Sequence, residues 1–553
     1  MHRLNLYTYC LFCLDVIAIL SVLCFNLRIS NHLLLPLIVS GFFISFVLVI
    51  CTAWEWQYNN KIRSKARVLN FWLSCLSLII WIGILFHGSK VVDNSNRQES
   101  IVNAYFKKIR NDETLLRSFF NNMPKGGDLH HHFSGSVYAE TYWASLVERN
   151  GYINVLTLET GFTKKTEEWK SCTELISEGK IQILRQRIFQ QWSIKDYNIG
   201  LGPSDKHFFG AFGKFNAIAS VSIGRGLLEI RDRAIKERVS YIETMLSSID
   251  TSILPVGIDD HNKKLIGLSL VPNVQAINDE LAILYQQFKQ MGLFSASRSF
   301  CNKLDSLHQV LRLDDSLFMM RYMAYTNRTD QPVMAFRKLL LAFDAASRDS
   351  LVVGVNIVSP EDNEVSMRDY NLHMEMFRFC HNIYPEVKYS MHSGELAMGS
   401  VRPEDLRYHI NNAVFRAGAS RIGHGVDISY EDNCNEILKQ MNRDSIAVEI
   451  NLSSNEFILK VANDKHPLLL YHKSGVPIVI STDDAGILRT DLTEQFVILA
   501  KRYPTVNYHD LKTFVLNSIQ YSFIKNPVAK MMILNKLKNN FEIFEQSILN
   551  LRN

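Results

Sequence analysis

Lys125-Gly126-Gly127-Asp128-Leu129-His130-His131-His132 places two histidines, His130 and His132, two residues apart in a run that reads as a β-strand. Strand side chains alternate, so both leave one face and can reach one metal ion, while His131 must point the other way. Taken alone, such a pair is more often a satisfied core pair or a polar strand end. Its setting in the chain changes that reading.

The run is the first of eight short β-rich segments separated by long helical patterns: Asp128 to Phe133, Ser240 to Leu246, Leu317 to Tyr325, Val352 to Val358, Val387 to Ser393, Arg421 to His424, Ile446 to Leu452 and Pro477 to Thr482. Eight parallel strands alternating with helices predict an α/β fold closed as a (β/α)8 TIM-type barrel. The long first and second connections predict helical lids or caps over about 138–200 and 250–315. Upstream, Ile101, Tyr105, Ile109, Leu116, Phe119 and Phe120 recur at helical spacing, which predicts an amphipathic lead-in helix.

Polar residues crowd the C-terminal ends of these runs, the face on which barrel active sites are built. His392-Ser393-Gly394-Glu395 ends the fifth run, Gly423-His424-Gly425 the sixth and Ser481-Thr482-Asp483-Asp484 the eighth. These segments converge only if the barrel closes. Three imidazoles and one carboxylate suit a borderline cation such as zinc with a water completing the site, so the expected ligands are His130, His132, His392 and Asp483 around one Zn2+ per chain.

Met123-Pro124-Lys125-Gly126-Gly127-Asp128-Leu129-His130-His131-His132, His392-Ser393-Gly394-Glu395, Arg421-Ile422-Gly423-His424-Gly425 and Ser481-Thr482-Asp483-Asp484 together resemble the adenosine deaminase family, in order and spacing, from about Ile101 to the end. The resemblance implies hydrolytic deamination of adenosine or a related aminopurine nucleoside, giving the inosine-type product and ammonia. It implies that Glu395 is the general acid toward purine N1. It likewise makes His424 the histidine that orients and deprotonates the attacking water, and Asp484 the acceptor that holds the purine through N7. Glu395 and Asp484 as surface acids, and Gly423-His424-Gly425 as a mere turn, are the bland alternatives.

Two positions depart from the family pattern. Ser134 stands where many members carry an acid associated with the sugar, and Ser359 replaces a glycine whose amide serves purine N3; both remain candidate substrate-binding residues. His207-Phe208-Phe209-Gly210-Ala211-Phe212 resembles the hydrophobic lid over the base, with an ordinary packed helix as its alternative. Glu243 and Arg321 are assigned to the barrel's polar interior without a catalytic role.

The remaining features set the context. The 553 residues carry 60 Lys plus Arg against 55 Asp plus Glu, a net +5 too small and too spread to predict nucleic acid binding. Leu6 to Phe25, Leu33 to Trp54 and Leu69 to His87 are each long enough to span a bilayer, which takes about 20 residues. Three transmembrane helices therefore form a membrane anchor over residues 1–90, ahead of a catalytic barrel over 91–553. Lys61, Arg63, Lys65 and Arg67 put the second loop and the N-terminus in the cytoplasm, so the catalytic domain faces the periplasm or exterior. Cys172, Cys301, Cys380 and Cys434 are scattered and show no disulfide framework.

His373-Met374-Glu375 has no Pro-Cys-x-x-Cys partner, which excludes the cytidine-type deaminases. Two alternatives stay open: a deaminase of a modified or phosphorylated adenine compound, and a membrane-bound nucleoside-binding receptor on an inactive deaminase fold. Oligomeric state is not legible in the sequence.

Overall fold

The computed structural model describes Cys75, residues 97–271 and residues 273–550. Apart from Cys75, the three apolar runs expected to span a membrane lie outside the described residues. Among the described residues no helix is long and apolar enough to cross a membrane. The chain divides into one unit over Tyr105–Phe544 and another of Met1–Ala104 with Glu545–Asn553.

The first unit holds all the strands among the described residues. They are β1 (Gly126–His132), β2 (Tyr152–Asn154), β3 (Thr160–Gly161), β4 (Trp169–Ser171), β5 (Val239–Ser247), β6 (Met319–Asn327), β7 (Val352–Val358), β8 (Ser390–Ser393), β9 (Arg421–His424), β10 (Ala447–Ile450) and β11 (Ile478–Ile480). Parallel pairing builds two four-stranded sheets, β1-β5-β6-β7 and β11-β10-β9-β8. Single parallel bridges, Val355 with Tyr389 and His131 with Asp483, join their edges into a ring. At the second seam the Asp483 N–H donates to His130 O at 2.9 Å and the His132 N–H to Asp483 O at 3.0 Å. All eight predicted runs are strands of this barrel.

Its interior is not wholly apolar. Arg421 is buried and donates to Glu449 Oε1 at 2.5 Å and Glu243 Oε2 at 2.7 Å, with its guanidinium 3.6 Å over the Phe523 ring. A charge taken from water is tolerable only when paired in this way. Glu243 and Arg321 are register partners on β5 and β6 and share the inward face, as expected, with Arg321 near the start of β6, where its Nη1 pairs with Asp314 at 2.7 Å.

Three further expectations need correction. The lead-in is two helices, 97–109 and Glu113–Asn122, because Asp112 turns its carboxylate onto the Leu115 N–H at 3.0 Å and caps the second afresh. The first insertion is not purely helical, since β2, β3 and β4 form an antiparallel sheet in the order β3-β2-β4. The second insertion is helical, Ile258–Leu270, Val274–Gln290 and Ser295–Leu311, but it packs on the outer helices Pro332–Arg348 and Glu364–Ile383 and not over the strand ends.

Candidate active site

β1 delivers His130 and His132 to the barrel interior and turns His131 outward, where its Nδ1 lies 3.0 Å from Thr244 Oγ1. β8 ends in His392, and the turn after β11 supplies Asp483 from a left-handed backbone (φ +65°). One potential ligand atom from each of His130, His132, His392 and Asp483 falls within 4.8 Å of the others. His132 Nε2 lies 3.0 Å from His392 Nε2 and 3.3 Å from Asp483 Oδ1.

Hydrogen bonding behind the cluster aims two of these rings. The His130 Nδ1–H donates to Glu449 Oε2 at 2.7 Å, so in the neutral ring Nε2 carries the lone pair; that atom is buried and 3.5 Å from Asp483 Oδ1. Asn356 Oδ1 accepts the Ile357 N–H at 2.7 Å, which identifies it as the oxygen, and it accepts the His392 Nδ1–H at 2.9 Å. His392 Nε2 is therefore also bare. Lone pairs that converge on a buried carboxylate, each ring held from behind by an acceptor, are the donor set of a divalent metal site. Burial lowers the His392 imidazole well below its usual range and takes His132 down to about 4, so both are neutral, as ligation requires.

Glu395 follows β8 at the rim of this cluster. Burial, with the charges of Asp483 and Glu361, raises its carboxyl well above the ordinary range. A buried clamp fixes its backbone: Glu361 accepts the Gly394 N–H at 3.1 Å and the Glu395 N–H at 2.8 Å, and lies 3.4 Å from Arg328 Nη1. Arg328 Nη2 donates in turn to His392 O at 2.7 Å, so one ion pair holds both the ligand and the acid. His424, in a left-handed conformation (φ +69°), puts Nε2 3.6 Å from Glu395 Oε1.

Asp484 is buried beside Asp483, and burial raises its carboxyl well above the ordinary range, with the Asp483 charge next in effect. Its Oδ1 has no hydrogen-bond partner. Ser134 lies in the short helix Phe133–Ser136 that continues β1, and its carbonyl accepts from Tyr142 Oη at 2.9 Å. Ser359 directly follows β7 with φ +89°, and its Oγ lies 3.3 Å from Asn327 Oδ1. The 207–212 segment belongs to the helix Ser204–Val221, which packs on the helices Phe133–Ser136 and Leu452–Leu459 that follow β1 and β10. Cys172, Cys301, Cys380 and Cys434 carry free thiols.

Glu449, Asn356 and Arg328 were not singled out in the sequence, and Glu361 was given no role. The legible signal was a charged or amide residue inside an otherwise apolar run, Glu449 in β10 and Asn356 in β7. A barrel strand spends a core position on such a residue only when something polar faces it.

Fold and site thus define a closed parallel α/β barrel with a candidate metal centre and a buried acid at the C-terminal strand ends. Residues 295–540 match the family model described as Adenosine deaminase. Curated relatives include the adenosine deaminase of Clostridium perfringens, 27% identical over 146 residues, covering 26% of this chain and 40% of that one. Another, from Clostridium kluyveri, is 31% identical over 135 residues, covering 24% and 35%. The chain spans less than half the length of these relatives. Among solved structures, the N6-methyl-AMP deaminase of Arabidopsis thaliana is 16% identical, covers 76% of this chain and 98% of its own, and superposes with a TM-score of 0.47. Over residues 295–540 the chain is similar to adenosine deaminases, and that stretch holds His392, Glu395, His424, Asp483 and Asp484, while His130, His132 and Ser134 precede it.

Proposed function

We propose that this protein is a zinc-dependent hydrolase that deaminates adenosine or a related aminopurine nucleoside to the inosine-type product and ammonia. The observation that carries this reading is the convergence of His130, His132, His392 and Asp483 within 4.8 Å, with Glu395 close enough to join Asp483 and His424 in a second such group.

Zn2+ held by these four residues would supply the Lewis acidity that makes water a nucleophile near neutral pH. Glu395, kept protonated by burial, donates to purine N1 and draws electron density from C6 as the carbon is attacked. His424, with Nε2 3.6 Å from Glu395 Oε1, would meet the attacking oxygen. Asp484 differs from its expected part: purine N7 offers only a lone pair, so the neutral carboxyl that burial favours serves it as a donor and not as an acceptor. Ser134, in the short helix after β1, and Ser359, just after β7, are proposed to meet the sugar and the base edge.

Ammonia release from adenosine by the purified full-length chain tests this reading. Glu395→Gln should lower kcat by about 10²- to 10⁴-fold, and a chelator should abolish turnover that added zinc restores. No ammonia from any aminopurine nucleoside, with folded and zinc-loaded protein, refutes it. The three apolar runs near the N-terminus support membrane anchoring with this site outside the cytoplasm. Alkaline phosphatase fused after residue 90 should then be active, and an inactive fusion at normal expression reverses the topology.

A further inference from the structure

Behind His424 runs a hydrogen-bond chain whose direction is set at its far end by a backbone amide. The Leu468 N–H donates to His466 Nδ1 at 3.2 Å, and a backbone N–H can only donate. His466 is buried and neutral, its imidazole pushed down to about 3 by burial and then by Arg502, so its one proton sits on Nε2. That Nε2–H donates to Asn455 Oδ1 at 3.1 Å, which identifies the oxygen of this amide and turns Nδ2 the other way. Asn455 Nδ2 donates to His424 Nδ1 at 2.9 Å, and Asn451 Nδ2 approaches the same atom at 3.4 Å. Asn451 and Asn455 are one helical turn apart around the helix Leu452–Leu459 after β10, and all four side chains are buried.

We infer that Asn455 and His466 are positioning residues that fix the resting His424 as the Nε2–H tautomer, so that it presents a hydrogen-bond donor to the reacting oxygen. Nδ1 does not carry the hydrogen, because the Asn455 amide, oriented by His466, already donates to it. A neutral ring then has its proton on Nε2, the atom 3.6 Å from Glu395 Oε1. This differs from the base that the family resemblance implies at His424, and it rests on the deaminase reading only for the identity of the oxygen. A donor fixed in advance costs no reorganisation as negative charge grows on that oxygen, and one such donor is worth about 10²- to 10³-fold in kcat.

Nitrogen NMR of the full-length, histidine-labelled, zinc-loaded chain without substrate reads the tautomer directly, with the His424 signals identified by their loss in His424→Asn. A protonated, pyrrole-type Nε2 and a bare, pyridine-type Nδ1 are expected; the reverse pattern in the wild type overturns the inference whatever the enzyme turns over. Asn455→Asp replaces the amide donor with an acceptor and should invert the pattern. It should also lower kcat by about 10²- to 10³-fold while KM moves by less than about threefold. His466→Gln keeps an N–H for Asn455 and should retain the wild-type pattern, which His466→Leu should lose. An unchanged spectrum and kcat in folded Asn455→Asp also overturns the inference. Absence of turnover in the wild type with the expected spectrum sinks the deaminase reading alone.

Discussion

Glu449→Gln is the most informative single perturbation of the metal centre, because the change preserves shape and removes only a charge. The native carboxylate accepts from His130 Nδ1 at 2.7 Å, Arg421 Nε at 2.5 Å and Ser390 Oγ at 2.9 Å, with its side chain fully buried. Burial would raise its carboxyl, but Arg421 and His130 hold it at about 2, so it is ionised at any working pH. A glutamine there must turn an NH2 toward either His130 Nδ1–H or the Arg421 guanidinium, and one contact becomes donor against donor. If His130 yields, its tautomer reverses and the Nε2 lone pair is lost to the metal. Loss of such an outer partner typically weakens metal binding by about 10- to 100-fold, or about 1.4 to 2.7 kcal/mol. Arg421 keeps Glu243 at 2.7 Å, so destabilisation of the fold should fall at the low end of the roughly 3 to 5 kcal/mol seen when a buried pair is broken. Zinc affinity by competition with a chromophoric chelator, alongside urea unfolding of the metal-free protein, separates the two effects. A folded variant whose zinc affinity stays within threefold of wild type refutes the claim that Glu449 orients His130.

Two further outcomes follow from the site. A Cβ on Gly135 would sit 1.6 Å from Asp484 Oδ1 and 2.5 Å from its Cγ, so Gly135→Ala should displace Asp484 and cost about 10²-fold in kcat/KM with zinc content unchanged; activity within threefold of wild type disproves it. His373 is buried with both ring nitrogens unpartnered, and burial pushes its imidazole down to about 4 from an ordinary 6.5. The unfolded chain therefore takes up this proton first. Stability is untouched above pH 6.5 and is lost as the pH falls from 6.5 toward 4. His373→Leu should gain about 1.4 kcal/mol on wild type at pH 5.5 relative to pH 7.5, and about as much again per further unit; equal pH slopes in urea unfolding rule this out.

Strand positions were legible because a barrel strand buried on both faces is a short apolar run between turn residues, and β7 and β9 begin and end where the pattern places them. Fraying at the ends has local causes. Leu317 is not in β6, because Asp315 Oδ1 takes the Leu317 and Phe318 N–H groups at 2.6 and 3.0 Å and holds a turn. His130, His132, His392 and Asp483 were legible from alternation and motif order. The residues behind them were not, since Glu449 lies 319 positions from His130 and Asn455 is 31 from His424, separations no local pattern spans. The small sheet β3-β2-β4 was hidden for a related reason: strands of two or three residues are too short to display a period.

The seam at which the ring closes has a consequence for how the chain must mature. His130, His132 and Asp483 sit on both sides of that seam, more than 350 residues apart in sequence, and their backbones exchange two hydrogen bonds across it. An ion gripped by these side chains would act as a clasp across that seam and add stability as RT ln(1 + [ion]/Kd). A nascent polypeptide cannot fasten it until the last strand has been made, so capture of the ion reports that the whole ring has been assembled.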